Sequence, residues 1–178
     1  MKAAEGVAAV ISVATVGGIR ADLTPGMIVV PHQIIDYTHG RDATYFDGRD
    51  QPFTNADFTL PYNTKLRGHI LHSAQVAQQT CADGGVYAAT QGPRLDSIAE
   101  VNRYERDGAD MVGMTGMPET ALAKELGLNY ATIAVVANYA AGRGDSTLGI
   151  NMEKVNSIAS ATMVRVRSII ECVVNNGD

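Results

Sequence analysis

The stretch Val112-Gly113-Met114-Thr115-Gly116-Met117-Pro118-Glu119 puts a thioether, a hydroxyl and a flexible glycine where a short apolar strand turns into a helix. Such a corner gathers an apolar surface, a hydroxyl and free backbone N–H groups at one point, a combination able to hold an anion beside an apolar ring. Pro118 suits the first helical position, because the N–H it lacks would have no partner there, and Glu119 suits the positive end of the helix dipole. The same residues also fit an ordinary strand-to-helix turn. A second candidate is Asn138, which ends the apolar run from Ala131. Its carboxamide offers donors and an acceptor at one place, as stabilising charge on a leaving group requires. A polar residue capping a strand end reads equally well from these residues alone.

Other chemistries lack their residues. The sequence contains no G-x-x-x-x-G-K-[ST], no G-x-G-x-x-G after a strand, no H-E-x-x-H, no Cys-x-x-Cys and no G-x-S-x-G. Gly142-Arg143-Gly144-Asp145-Ser146 reads as a flexible surface loop. His69 and His72 stand three apart on a helix, where a solvated or partly packed face explains them, and no metal site is expected. Cys81 and Cys172 read as buried or half-buried free thiols. What remains is electrostatic catalysis without a covalent intermediate.

The elements that must position these residues alternate between strands and helices. Val7 to Val16 reads as a buried strand, and Met27 to Ile35 as another; both look like interior strands of a sheet covered on two faces. Residues 36–60 form a long loop, of the kind that serves a site or a neighbouring subunit. A helix over 61–80 follows, then a strand over 85–90. Ser97 and Glu100 form a capping box that opens a helix through Arg106. A strand over 111–114, a helix over 118–126 and a strand over 131–138 lead to a last helix over 152–174, with Val155, Ile158, Val166, Ile169 and Val173 on one stripe. This order gives a single α/β domain over 1–178 with a largely parallel or mixed sheet, and ligands in such folds lie beyond the carboxyl ends of strands. Those ends carry Ala14-Thr15, Thr90-Gln91, Met114-Thr115 and Asn138-Tyr139.

Of 178 residues 46% are apolar, enough for one sizeable core, and the net charge of -5 with scattered Lys and Arg argues against a nucleic-acid partner. The run from Val7 to Val16 contains Ser12 and Thr15 and is too short to span a bilayer, so no membrane association is expected and the cytoplasm is the expected location.

Three segments, Ala89-Thr90-Gln91-Gly92-Pro93-Arg94-Leu95, Asp110 to Glu119, and Val135-Val136-Ala137-Asn138-Tyr139-Ala140-Ala141-Gly142, resemble the trimeric purine nucleoside phosphorylases. The likeness is strongest to the methylthioadenosine and methylthioinosine phosphorylase branch and runs colinearly through nearly the whole chain, including Val13 to Ile19 and Gln33 to Thr38. The resemblance implies a pentosyltransferase of purine salvage that cleaves an N-glycosidic bond with inorganic phosphate as co-substrate, needs no cofactor and forms a homotrimer. It places phosphate against Thr115, Ala14 and Thr15, the ribose against Met114, and the base against Asn138, with Tyr139, Ala140, Leu95 and Asp96 nearby. Branches that prefer adenine-type bases carry Asp at the position of Asn138, so the amide implies a 6-oxopurine. Met152 and Val155 stand where branches using ordinary nucleosides place a His, and an apolar wall there favours a 5′-methylthio group. The implied reaction turns S-methyl-5′-thioinosine and phosphate into hypoxanthine and 5-methylthioribose 1-phosphate. The alternatives are an ordinary inosine or guanosine phosphorylase and a catalytically incomplete member of the family.

The family pattern starts upstream of Met1. The resemblance therefore implies a nucleoside-phosphorylase sheet without its first N-terminal strands, its Gly-rich phosphate loop and its Arg-His pair. On that expectation an interior strand edge is exposed and the strongest phosphate contact is lost, so this polypeptide binds purine weakly and turns over little or nothing.

Overall fold

The computed structural model describes residues 6–48 and 52–176. Its two longest strands, β1 (Ala9–Gly18) and β7 (Asn129–Tyr139), lie side by side in parallel, in register from Ala9 opposite Asn129 to Val16 opposite Val136. Between them in the chain come β2 (Ile28–Val30), β3 (Gln33–Asp36), α1 (Thr64–Val76), β4 (Cys81–Asp83), β5 (Val86–Ala89), α2 (Ile98–Arg106), β6 (Met111–Gly113) and α3 (Glu119–Glu125), and α4 (Met152–Asn175) closes it. The seven strands form one sheet in the order β3-β5-β6-β1-β7-β2-β4. β1 meets β6, and β2 meets β7, antiparallel; the other pairs are parallel, so the sheet is mixed.

Both faces of β7 are covered, which is why its sequence is a continuous apolar run rather than an alternation. Ala131, Ile133 and Val135 pack with Ile70 of α1 and Val166 and Ile169 of α4. Ala134 and Val136 face the other way, onto Leu23, Tyr87 and Met111. Helix α4 buries Thr162, Val166, Ile169 and Val173, while Val155 and Ile158, expected on the same stripe, are half-buried. Ser97 and Glu100 make the capping box at the start of α2. Asn63 caps α1 by accepting from the Leu66 N–H at 2.8 Å, so that helix opens at Thr64 and not at Pro61.

The run from Met27 to Ile35, expected as one interior strand, is two. β2 lies between β7 and β4, whereas β3 is the edge strand beside β5. The break falls at Pro31, which has no N–H for a ladder, and His32, whose N–H donates to the Gly85 carbonyl at 3.0 Å. Strand β4 is too short and polar to stand out in the sequence. Gly144–Ser146, expected within a flexible loop, is a short 3-10 turn with Ser146 buried. Cys81 and Cys172 are half-buried free thiols, and burial pushes Cys81 up to about 11.

β1 has a partner along its whole length only on the β7 side. β6 pairs with it at Gly17 and Gly18 alone, and among the described residues no strand flanks 9–16 on that edge. Close approach at the crossing requires Gly18, where a Cβ would sit 2.2 Å from the Leu23 carbonyl oxygen. The packing of α4 is checked by Ile169→Ala: in urea unfolding it lowers stability by about 2–5 kcal/mol, whereas Val164→Ala, on the exposed side of the same helix, changes it by about 0.5 kcal/mol or less.

Candidate active site

Pairing between β1 and β6 stops after two residue pairs, and the continuations of both strands line a cavity of about 360 Å³. From β1 come Ala14 and Thr15, from the end of β6 Met114 and Thr115, and from β7 and beyond Asn138 and Ala140. The loop after β5 adds Leu95 and Asp96, and the start of α4 adds Met152 and Val155. Every site residue expected from the sequence therefore lies on this one wall system except Tyr139. Its side chain covers the turn instead, where a Cβ on Gly144 would fall 2.3 Å from the Tyr139 ring.

The Met114-Thr115-Gly116 corner is built differently from the expectation of free backbone donors. The Thr115 N–H donates to the Tyr87 hydroxyl at 3.2 Å, and the Gly116 N–H donates to Glu119 Oε1 at 2.8 Å. Pro118 is the residue before α3 rather than its first, and α3 has only seven residues. With both N–H groups taken, the group the corner offers to a ligand is the exposed Thr115 hydroxyl. Its oxygen lies 3.1 Å from the hydroxyl of Tyr87. Sequence reasoning missed Tyr87; the only signal was a tyrosine in an otherwise apolar strand, whose polar tip needs a partner when buried.

Asn138 owes its place to an irregularity in the β1–β7 ladder. Val16 faces Val136 but Gly17 faces Asn138, so Ala137 is an extra residue and the alternation of β7 is reset there. Bulges of this kind re-aim side chains next to sites. One N–H of the carboxamide donates to the Tyr139 carbonyl at 2.6 Å, which fixes the plane of the group. A primary amide has a second N–H and an acceptor oxygen besides.

Asp96 is the one ionisable side chain among the lining residues. Half-buried, it accepts from the Tyr104 hydroxyl at 3.1 Å; burial raises its pKa above the usual carboxylate value, and that hydrogen bond pulls the other way. The lining carries no Lys, Arg or His among the described residues. Among the described residues no three His, Cys, Asp or Glu come together as a metal site.

A second residue absent from the sequence reading is Arg41, in the long loop after β3. Its guanidinium donates to the carbonyls of Thr90 at 3.3 Å, Gln91 at 3.2 Å, Met114 at 3.1 Å and Met117, and to Gln91 Oε1 at 3.1 Å. One planar fork thus ties the ends of β5 and β6 together at the cavity. An arginine among Gly, Asp and Thr gives no pattern by which to find it.

Two consequences are measurable. Arg41→Ala strips several part-buried carbonyls of their donor and costs about 2 kcal/mol, lowering the Tm by about 4–8 °C in a thermal scan. Asp96 titrates above an ordinary aspartate in carboxyl NMR. Because its folded pKa is the raised one, the folded state holds a proton where the unfolded state has lost it. Between the ordinary value of about 4 and the raised one, stability falls as pH rises, and Asp96→Asn removes that slope.

The profile of the Phosphorylase superfamily matches residues 1–172. A probable S-methyl-5′-thioinosine phosphorylase of Pseudomonas syringae pv. tomato is 45% identical over 172 residues, which cover 96% of this chain and 68% of that protein. One of Xanthomonas campestris pv. campestris is 48% identical over 141 residues, 79% of this chain and 56% of that protein. The solved methylthioadenosine phosphorylase of Schistosoma mansoni in complex with adenine superposes with a TM-score of 0.88 at 26% identity, covering 97% of this chain and 66% of that one. The chain thus spans between about half and about two thirds of the length of these relatives. With the mixed sheet, the cavity at its β1–β6 crossing and this match along almost its whole length, the chain belongs to the Phosphorylase superfamily.

Proposed function

We propose that the cavity is a purine-nucleoside site and that the reaction is phosphorolysis of S-methyl-5′-thioinosine to hypoxanthine and 5-methylthioribose 1-phosphate, a purine-salvage step. The observation that carries this reading is the meeting, in one cavity, of the Asn138 amide, the Thr115 hydroxyl and the apolar Met152–Val155 wall. Inorganic phosphate is the co-substrate and no cofactor takes part. A phosphate oxygen forms a bond to C1′ as the bond from C1′ to the base nitrogen breaks, and the electron pair leaves with the base. Asn138 donates to N7 or the 6-oxygen of the purine, where that charge collects. Thr115, with Ala14 and Thr15 beside it, holds the anion, and Met114 packs against the sugar. Leu95, Asp96 and Ala140 bound the base. The relatives from Pseudomonas and Xanthomonas, named for methylthioinosine, support the choice of substrate.

Met152 is 51% exposed, so the end of the cavity given to the 5′-substituent reaches solvent. That observation favours a second reading, an inosine or guanosine phosphorylase, because a 5′-hydroxyl there keeps its water. A homotrimer in the cytoplasm is the proposed working form. None of the described helices is long and apolar enough to cross a membrane.

The test is phosphate-dependent hypoxanthine release from methylthioinosine, with inosine and methylthioadenosine in parallel. Fastest release from methylthioinosine supports the proposal, fastest from inosine favours the second reading, and release only from methylthioadenosine contradicts the role given to Asn138. Purine binding without turnover identifies a catalytically incomplete member. Asn138→Asp, which turns the donor into an acceptor, shifts the preference toward 6-aminopurines about tenfold or more.

A further inference from the structure

Tyr87 is wholly buried in β5, yet its hydroxyl reaches the exposed edge of the cavity at Thr115. Its approach depends on the two glycines that bracket the corner. A Cβ on Gly113 would lie 2.5 Å from the Tyr87 hydroxyl, and one on Gly116 would lie 3.1 Å from its ring. The glycine spacing around Met114-Thr115 is therefore the imprint of this ring, and not only a requirement of the turn.

A tyrosine hydroxyl has one hydrogen and two lone pairs. One lone pair receives the Thr115 N–H at 3.2 Å, which leaves a lone pair and the hydrogen, so the contact with Thr115 Oγ1 at 3.1 Å can run in either direction. The dianion of inorganic phosphate keeps one P–OH, but the oxygens that carry its charge only accept, and one of these meets Thr115. The threonine hydrogen must then point at the anion, and the lone pair of Oγ1 is free to take the tyrosine hydrogen. Burial raises the Tyr87 pKa above that of an ordinary phenol, so this hydrogen is present throughout the neutral range.

We infer that Tyr87 is a positioning residue for the anion: by donating to Thr115 Oγ1 and accepting from the Thr115 N–H, it sets the Thr115 hydroxyl as a donor facing the phosphate. The inference rests on the reading of Thr115 as a phosphate contact. A donor held by a chain of two hydrogen bonds is stronger than an isolated hydroxyl free to rotate.

The experiment is a calorimetric titration of the full chain with inorganic phosphate, comparing wild type, Thr115→Val, Tyr87→Phe and the double variant. Thr115→Val and Tyr87→Phe each weaken phosphate binding about tenfold, and the double variant binds no more weakly than Thr115→Val alone, because Tyr87 acts only through the missing hydroxyl. A purely structural role for Tyr87 predicts multiplied effects in the double variant, and that result, or unchanged affinity in Tyr87→Phe, overturns the inference while leaving the phosphate reading intact. Wild type without phosphate binding, or Thr115→Val without effect, overturns the phosphate reading itself and the inference with it. Hypoxanthine binding, read in the same titrations, stays within about twofold of wild type in Tyr87→Phe and shows that the cavity is formed. Should Tyr87→Phe not fold, Tyr87→Met, which also lacks the hydroxyl, carries the same expectations.

Discussion

The parallel pairing of β1 with β7 is the constraint on which the rest of this structure depends. The ladder runs unbroken from Ala9 and Asn129 to Val16 and Val136, and its continuation past the extra residue Ala137 delivers Asn138 to the cavity. On one face of β7 the ladder carries the packing of α1 and α4, and on the other that of Tyr87 and Met111. The same Tyr87 touches Thr115. Core and site therefore share residues: a side chain that fills the interior behind the sheet also orients the hydroxyl in front of it. Slipping the ladder by one residue would turn every β7 side chain to the opposite face and take Asn138 out of the cavity.

The electrostatics of the cavity follow from what the corner does with its own polar groups. Backbone donors that could have met an anion are consumed by Tyr87 and Glu119, and Arg41 spends its charge on carbonyls behind the wall. What faces a ligand is a hydroxyl, an amide, a half-buried carboxyl and a large apolar remainder. Such a lining recognises a purine and a thioether well. In the proposed reaction the phosphate meets neutral donors, each of which is weaker than a charged one, so geometry has to supply what charge does not. The exposed β1 edge over 9–16 lies next to this same cavity, through Val13 to Val16.

Much of the fold was legible because it rests on local patterns. Continuous apolar runs identified β1 and β7, and the Ser97–Glu100 spacing identified the start of α2. The carboxyl ends of the strands pointed to Ala14, Thr15, Met114, Thr115 and Asn138, all of which line the cavity. What stayed hidden depends on contacts far apart in sequence. Pro31 divides one apolar run between two places in the sheet, and no local pattern says where each half goes. Arg41 reaches Met114 across a separation of 73 residues, and Tyr87 reaches Thr115 across 28. Nor does alternation reveal the bulge at Ala137 or the turn of Tyr139 onto Gly144, since both arise from how β1 and β7 meet at their ends.

The central claim is that a purine sits against the Asn138 amide while an anion sits at Thr115. Its most direct measurement is nitrogen–proton NMR of the full chain, with the Asn138 side-chain amide assigned through Asn138→Asp and the spectrum followed during titration with hypoxanthine and then with phosphate. The account predicts that hypoxanthine moves the Asn138 side-chain signals and phosphate moves the Thr115 backbone amide, each saturably. An unmoved Asn138 amide at saturating hypoxanthine would contradict it.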